Sequence, residues 1–274
     1  MKQQSSVLLN RSRHRVVSSL RQQMPWLLAL SGLWGMVEGL PGQAASPATL
    51  PPEVAAVITQ VEAAANQRNL QGVLKFYSPQ FQQTDGLNRQ LLEKSLSQLW
   101  QRYANLKYST EVQSWEQDGN GVQVELVTRL TGTQTIADRT FQLESVLRSR
   151  QRLENQKIVR QEILAERSQA KSGTKPPQVR FNLPETVKPG QKFTFDAIVE
   201  EPLGEDLLLG AALEEPVQPE GLLNPTTATL EPLSAGGIFK MGTAPLRPEH
   251  QWISAVIVRH DGMTLITQRL RVIR

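Results

Sequence analysis

Residues 139–166 constrain the fold of this chain most, because two runs of strand-forming residues flank a polar turn. In the first run, Phe141, Leu143 and Leu147 fall on one face. The turn occupies 154–156, and the second run again contains many β-branched residues. Alternation on both sides of a polar break is typical of paired antiparallel strands. Because two strands alone are only marginally stable in water, this hairpin needs further strands and a helical cover.

The residues before the hairpin predict three helices. Apolar residues recur at helical spacing from Val54 to Val61, which indicates a first helix with one buried face. A short second helix is expected at 70–77, with Asn69 as its N-cap. The third helix is expected to begin after Asp85, a plausible N-cap, because a wide apolar face follows it.

Two further strands are predicted on either side of residues 117–121. This segment contains both Asp-Gly and Asn-Gly, which are strong hairpin signals. Together with the 139–166 hairpin, they give a meander of four strands. Helices followed by antiparallel strands predict the α+β class, with the helices on one face of the sheet.

Two local motifs in this region resemble a known superfamily. The sequence Phe-Tyr-Ser-Pro-Gln-Phe at 76–81 ends the second predicted helix, and Leu-Glu-Asn-Gln-Lys-Ile-Val-Arg at 153–160 begins the last strand. With the order of elements around them, they resemble the nuclear transport factor 2-like (SnoaL-like, cone-shaped α+β) superfamily over about residues 51–167. The resemblance implies a curved sheet wrapped around helix 1. It also implies a pocket that serves catalysis in some members and only packing or dimerisation in others.

The implied pocket gives four candidate ligand-binding residues, which are Tyr77, Trp100, Tyr103 and Arg129. Trp100 and Tyr103 share one side of the third helix, so they either fill the core or line an open pocket. We favour the filled core, because helical spacing alone explains both residues. Similar enzymes use an Asp, a Tyr or a His–Asp pair, and Asp85 or Tyr103 would be the acid or base here.

Composition excludes several kinds of site. The chain has no cysteine, hence no disulfide, thiolate ligand or cysteine nucleophile, and it has only three histidines. No histidine lies between 15 and 249, so a His–Asp pair has no basis in the first predicted domain. We therefore expect no metal and no cofactor. Five of the 30 basic residues and one of the 26 acidic residues lie within 1–45. The remainder is balanced in charge, which argues against a nucleic-acid partner.

Residues 1–45 are predicted to be a signal peptide. Four arginines precede an apolar run at 24–37, and Gly-Gln-Ala-Ala at 42–45 offers a cleavage site. The expected location is the periplasm or an equivalent compartment. The alternative is an uncleaved N-terminal anchor in the inner membrane, although the apolar run is short for a span.

Beyond residue 168 the composition changes. Residues 169–177 are predicted to be an exposed linker between a domain at 51–168 and a second domain at 178–274. Short strands with Gly and Pro turns predict an all-β sandwich for the second domain. Its Pro-Gly-Gln turn before an inner strand resembles immunoglobulin-like modules of exported bacterial proteins. Residues 200–248 give no clear assignment.

Two functions fit these observations. The first is a non-catalytic exported protein that binds a protein partner or a small hydrophobic ligand at the cell envelope, and that can form a homodimer through its sheet. The alternative is an enzyme of lyase or isomerase type that uses the pocket. A carboxylate and a tyrosine facing one closed apolar cavity would favour the enzyme.

Overall fold

The structure is a computed structural model that describes residues 46, 49–103, 105–136, 138–202, 204, 206–218, 228–233 and 235–274. The predicted signal peptide and part of the unassigned 200–248 region lie outside these residues. Among the described residues, no helix has the length and apolar character needed to cross a membrane.

Residues 52–102 contain three helices and one short strand. Their bounds are α1 Pro52–Asn66, α2 Leu70–Leu74, β1 Tyr77–Gln83 and α3 Arg89–Arg102. Asn69 caps α2 as predicted, because its side chain accepts a hydrogen bond from the Gly72 N–H at 2.9 Å. The prediction that Asp85 caps the third helix is wrong. Asn88 is the N-cap of α3, and its side chain accepts from the Leu91 N–H at 2.9 Å.

Four long strands follow and form the predicted meander. They are β2 Lys107–Asp118, β3 Gly121–Ile136, β4 Arg139–Glu154 and β5 Lys157–Gly173. The 139–166 hairpin is confirmed as the pair of β4 and β5. Its turn residues Asn155 and Gln156 both have positive φ, of 48° and 60°. A two-residue turn of this kind matches the twist of antiparallel strands.

The remaining strands are short, apart from the last two. They are β6 Val179–Asn182, β7 Thr186–Val187, β8 Lys192–Val199, β9 Leu209–Pro216, β10 Glu231–Pro232, β11 Gly237–Thr243, β12 Gln251–Arg259 and β13 Gly262–Val272. Strands β11, β8 and β6 form a separate three-stranded sheet. One apolar core lies between this sheet and β12 and β13, and a second lies between the helices and the meander.

The predicted fold class, a three-helix cone-shaped α+β domain beside a separate β-sandwich, is wrong. Most described residues are in strands, and strands from both predicted domains join in one ten-stranded, mostly antiparallel sheet. Its main path runs β10-β9-β12-β13-β5-β4-β3-β2. The connection is the long strand β5, which pairs with β4 along its length and with β13 through its C-terminal part.

The predicted linker at 169–177 also needs correction. Its first five residues, 169–173, are the end of β5 and are hydrogen-bonded to strands on both sides. The polar side chains of this segment suggested a loop, whereas its backbone completes the sheet. Independent folding of the two predicted domains stays a prediction.

Candidate functional site

The candidate site is a cavity of about 320 Å³ between the helices and the concave part of the large sheet. Most of its lining is apolar. The apolar lining residues include Ile58, Val61, Leu87, Leu92, Leu96, Leu99, Leu126, Leu130, Leu147, Ile158 and Ile163. Cavities that bind small molecules measure about 300–1,000 Å³ and are mostly apolar with a few polar groups. This cavity is at the small end of that range.

One row of residues crosses six neighbouring strands and lines the cavity. Strand register places four of these residues side by side, which are Thr110 on β2, Thr128 on β3, Leu147 on β4 and Glu166 on β5. The row continues on the C-terminal strands, where Arg269 on β13 lies opposite Trp252 on β12. Side chains at matching positions on paired strands share one face of the sheet. The cavity wall is therefore continuous from the N-terminal meander into the C-terminal strands.

Arg269 is the centre of a buried ionic cluster in this row. Its guanidinium donates to Glu166 Oε2 at 3.0 Å through Nη2 and at 3.2 Å through Nε, and to Asp85 Oδ2 at 2.9 Å through Nη1. The Trp252 indole N–H also donates to Glu166 Oε2, at 3.1 Å. The Arg269 side chain is only 3% exposed. A guanidinium buried to this degree needs such partners, because charge without compensation is costly inside a protein.

A second polar contact joins helix α1 to the edge of the sheet. Glu62 Oε2 accepts a hydrogen bond from the Thr110 backbone N–H at 2.6 Å, and the hydroxyls of Thr110 and Thr128 are 3.2 Å apart. All three residues line the cavity. The carboxylates of the lining are thus already bonded within the protein.

The four predicted binding residues have different positions. Tyr77 lines the cavity and is buried, and this burial raises the pKa of its hydroxyl to about 12. Trp100 is buried in the core, where its indole N–H donates to the Tyr108 hydroxyl at 2.9 Å, and it is not part of the lining. Tyr103 ends helix α3 outside the lining, and Arg129 is exposed on β3.

Asp85, the proposed acid or base, does line the cavity, but its carboxylate is engaged by Arg269. Burial also raises the pKa of Tyr103, the other proposed acid or base. The sequence reasoning missed Arg269, Trp252 and Glu166. Arg269 and Asp85 are 184 residues apart in the chain, and no local motif connects them. Among the described residues, no group of three or more His, Asp or Glu side chains is arranged to hold a metal.

Residues 174–273 match the family described as a domain of unknown function (DUF8623). No characterised protein matches the chain by sequence.

Several solved structures with nuclear transport factor 2-like or ketosteroid isomerase-like folds match about 40% of the chain. A ketosteroid isomerase-like protein from Catenulispora acidiphila, in complex with trimethylamine, is 14% identical (TM-score 0.30, covering 43% of this chain and 85% of that one). An NTF2-like protein of unknown function from Cytophaga hutchinsonii is 13% identical (TM-score 0.24, covering 42% and 91%).

The structure of Bdellovibrio bacteriovorus Bd1075 is 14% identical, with a TM-score of 0.29. The match covers 40% of this chain but only 38% of Bd1075. TM-scores this low carry no argument about function.

Proposed function

We propose that this chain is an exported, non-catalytic protein that binds a small, largely apolar molecule in the cavity. The observation that carries the proposal is a mostly apolar space of about 320 Å³ lined by α1, α3 and the sheet. Folded proteins fill their interiors closely, so a space of this size with an apolar lining is suited to an apolar occupant. Export is supported by the sequence of residues 1–45.

The alternative is a lyase or isomerase, and one observation favours it. Tyr77 and Asp85 both line the apolar cavity. Their chemistry, however, suits binding better than proton transfer. With its pKa raised to about 12, the Tyr77 hydroxyl stays protonated near neutral pH and acts as a hydrogen-bond donor. The Asp85 carboxylate is held by the Arg269 guanidinium, which reduces its availability as a base.

A substitution that fills the cavity tests the proposal. Leu147 lines the cavity on β4, whereas the adjacent Val146 points to the other face and is 41% exposed. The experiment records thermal unfolding of the wild type, Leu147→Trp and Val146→Trp with a panel of apolar molecules of graded size. A ligand at about 100 times its Kd should stabilise the folded state by about 2.7 kcal/mol.

We expect this stabilisation in the wild type and in Val146→Trp, and its loss in Leu147→Trp. If no apolar molecule stabilises the wild type, or if Leu147→Trp retains the full effect, ligand binding in this cavity is refuted. Turnover of the bound molecule by the wild type, abolished in Tyr77→Phe or Asp85→Asn, would instead establish the enzymatic alternative.

A further inference from the structure

Three glutamines form a row across neighbouring strands on the cavity wall. Gln83 on β1 is in register with Gln161 on β5, and Gln161 is in register with Gln151 on β4. All three line the cavity. Because paired strands are about 4.8 Å apart, the row presents three carboxamide groups at close intervals across the wall.

Within the described part of the chain, these carboxamides are free to bind a ligand. Among the described residues, the side chains of Gln83, Gln161 and Gln151 have no hydrogen-bond partner. Gln151 is only 8% exposed. Tyr77 is equally buried, lines the same cavity, and its hydroxyl also has no partner among the described residues.

Buried polar groups in proteins are nearly always hydrogen-bonded, because a group removed from water without a partner destabilises the folded state. Gln151 and Tyr77 are buried and Gln83 and Gln161 are half-buried, and the polar atoms of these four side chains are not sealed off from the cavity. A molecule that occupies the cavity is therefore placed to supply their missing partner. The charged residues of the lining, in contrast, all have partners. Glu62, Asp85, Glu166 and Arg269 are all hydrogen-bonded within the protein.

The chemistry of the free groups defines the head group of the ligand. A carboxamide offers N–H donors and a carbonyl acceptor together, and a protonated phenol donates. Their complement is an uncharged group that both donates and accepts. An anionic head group is disfavoured, because the lining contains three carboxylates and one guanidinium. A cationic head group would leave the glutamine N–H donors unpaired.

Building on the proposed function, we propose that the ligand combines an apolar body with an uncharged amide-type head group, such as a carboxamide or lactam. The head group is bound by the row of Gln83, Gln161 and Gln151 together with Tyr77. The apolar lining of the cavity holds the body.

Four probes that share one ring test this assignment: cyclohexanecarboxamide, cyclohexanecarboxylate, cyclohexylmethylammonium and methylcyclohexane. Their Kd values are measured on the wild type by NMR titration. We expect cyclohexanecarboxamide to bind at least about 10-fold more tightly than each of the other three, as two or more new hydrogen bonds would give. In Gln151→Met and Gln83→Met, affinity for the carboxamide should fall about 5-fold or more, while affinity for methylcyclohexane is unchanged.

Gln142→Met is the matched control, because Gln142 is an exposed residue of the same strand β4 and does not line the cavity. It should bind all four probes like the wild type. Tighter binding of either charged probe, or equal binding of methylcyclohexane and the carboxamide, overturns the head-group assignment but leaves apolar binding intact. Failure of all four probes to bind overturns both this inference and the proposed function.

Discussion

Replacing Arg269 with methionine tests whether the buried ionic cluster stabilises the fold. The substitution keeps an unbranched apolar stem but removes the guanidinium. Asp85 then loses its hydrogen-bonded cation, and Glu166 keeps only the Trp252 indole N–H. Removing one partner of a buried ion pair typically costs about 3–5 kcal/mol, because the other charge is left buried without compensation. Glu166 is 21% exposed, so some water can reach it, and we expect the lower part of that range.

Urea unfolding at neutral pH measures this loss, provided that the slope of the free energy against urea is unchanged. Arg148→Met is the matched control. Arg148 is 45% exposed, and its 3.5 Å ion pair with Glu185 is solvated, so its loss should cost at most about 1 kcal/mol. The triple variant Arg269→Met/Asp85→Asn/Glu166→Gln should recover a large part of the lost stability, because no uncompensated charge remains in the cluster.

Two results would refute this reasoning. If Arg269→Met costs no more than Arg148→Met, the cluster is solvated and its ion pairs do not stabilise the fold. If the triple variant is as unstable as Arg269→Met, the loss comes from packing of the arginine stem rather than from unpaired carboxylates.

Three further predictions concern the core, the cavity wall and the end of β5. Trp100→Ala should lower the free energy of unfolding by about 3–5 kcal/mol in urea titrations, because a large buried side chain is removed. The free energy of unfolding of the wild type should fall as the pH rises from about 10 to 12. Over this range the Tyr77 hydroxyl ionises in the unfolded chain but stays protonated in the folded protein. Tyr77 contributes about 2–3 kcal/mol of this loss, so the loss should be smaller by that amount in Tyr77→Phe, as measured by urea unfolding at each pH. Gly173→Ala should cost more than about 1 kcal/mol, because φ is +102° and the new Cβ would clash with the Asp261 backbone carbonyl oxygen.

Each of these three predictions has a result that would contradict it. A nearly unchanged melting temperature in Trp100→Ala would show that Trp100 is not a core residue. If Tyr77→Phe loses as much stability at alkaline pH as the wild type, the Tyr77 hydroxyl is not buried. Gly204→Ala is the control for Gly173→Ala, because Gly204 also has positive φ but no atom lies within 4 Å of a Cβ there. Equal costs for the two would exclude a steric contribution at Gly173.

The parts of the fold that were predictable from sequence depend on local patterns. The hairpin of β4 and β5 was predicted because apolar alternation flanks a turn at Asn155 and Gln156. The start of the third helix was misplaced because Asp85 and Asn88 are both good N-cap residues. The choice between them depends on a turn at Gly86, with φ of 93°, and on an isolated bridge between Gln82 and Asn88.

The single large sheet was not predictable in the same way. The residues Ser-Gln-Ala-Lys-Ser-Gly at 168–173 contain polar side chains with no apolar alternation, and they suggested a linker. Their structure comes from backbone hydrogen bonds to β4 on one side and β13 on the other. Backbone pairing leaves no pattern in the side chains when neither face of the segment is strongly apolar.

The candidate site was predicted only in part. Tyr77 was named as a pocket candidate because of the superfamily resemblance, and it does line the cavity. The glutamine row could not be recognised, because Gln83, Gln161 and Gln151 meet only through strand register. An isolated glutamine in a strand otherwise indicates a solvated face.

Register also explains why the C-terminal strands belong to the site. The pairing of β13 with β5 places Gln268 opposite Arg167, so Arg269 comes beside Glu166 in the next position. A shift of one residue in this pairing would turn the Arg269 side chain to the opposite face of the sheet. Asp85 would then lose its cation, and the cavity would lose the wall that Arg269 and Trp252 provide. The ion pair between Arg269 and Glu166 forms in only one register of β13 and β5. The same contact therefore contributes to the cavity wall and favours the correct alignment of the two strands.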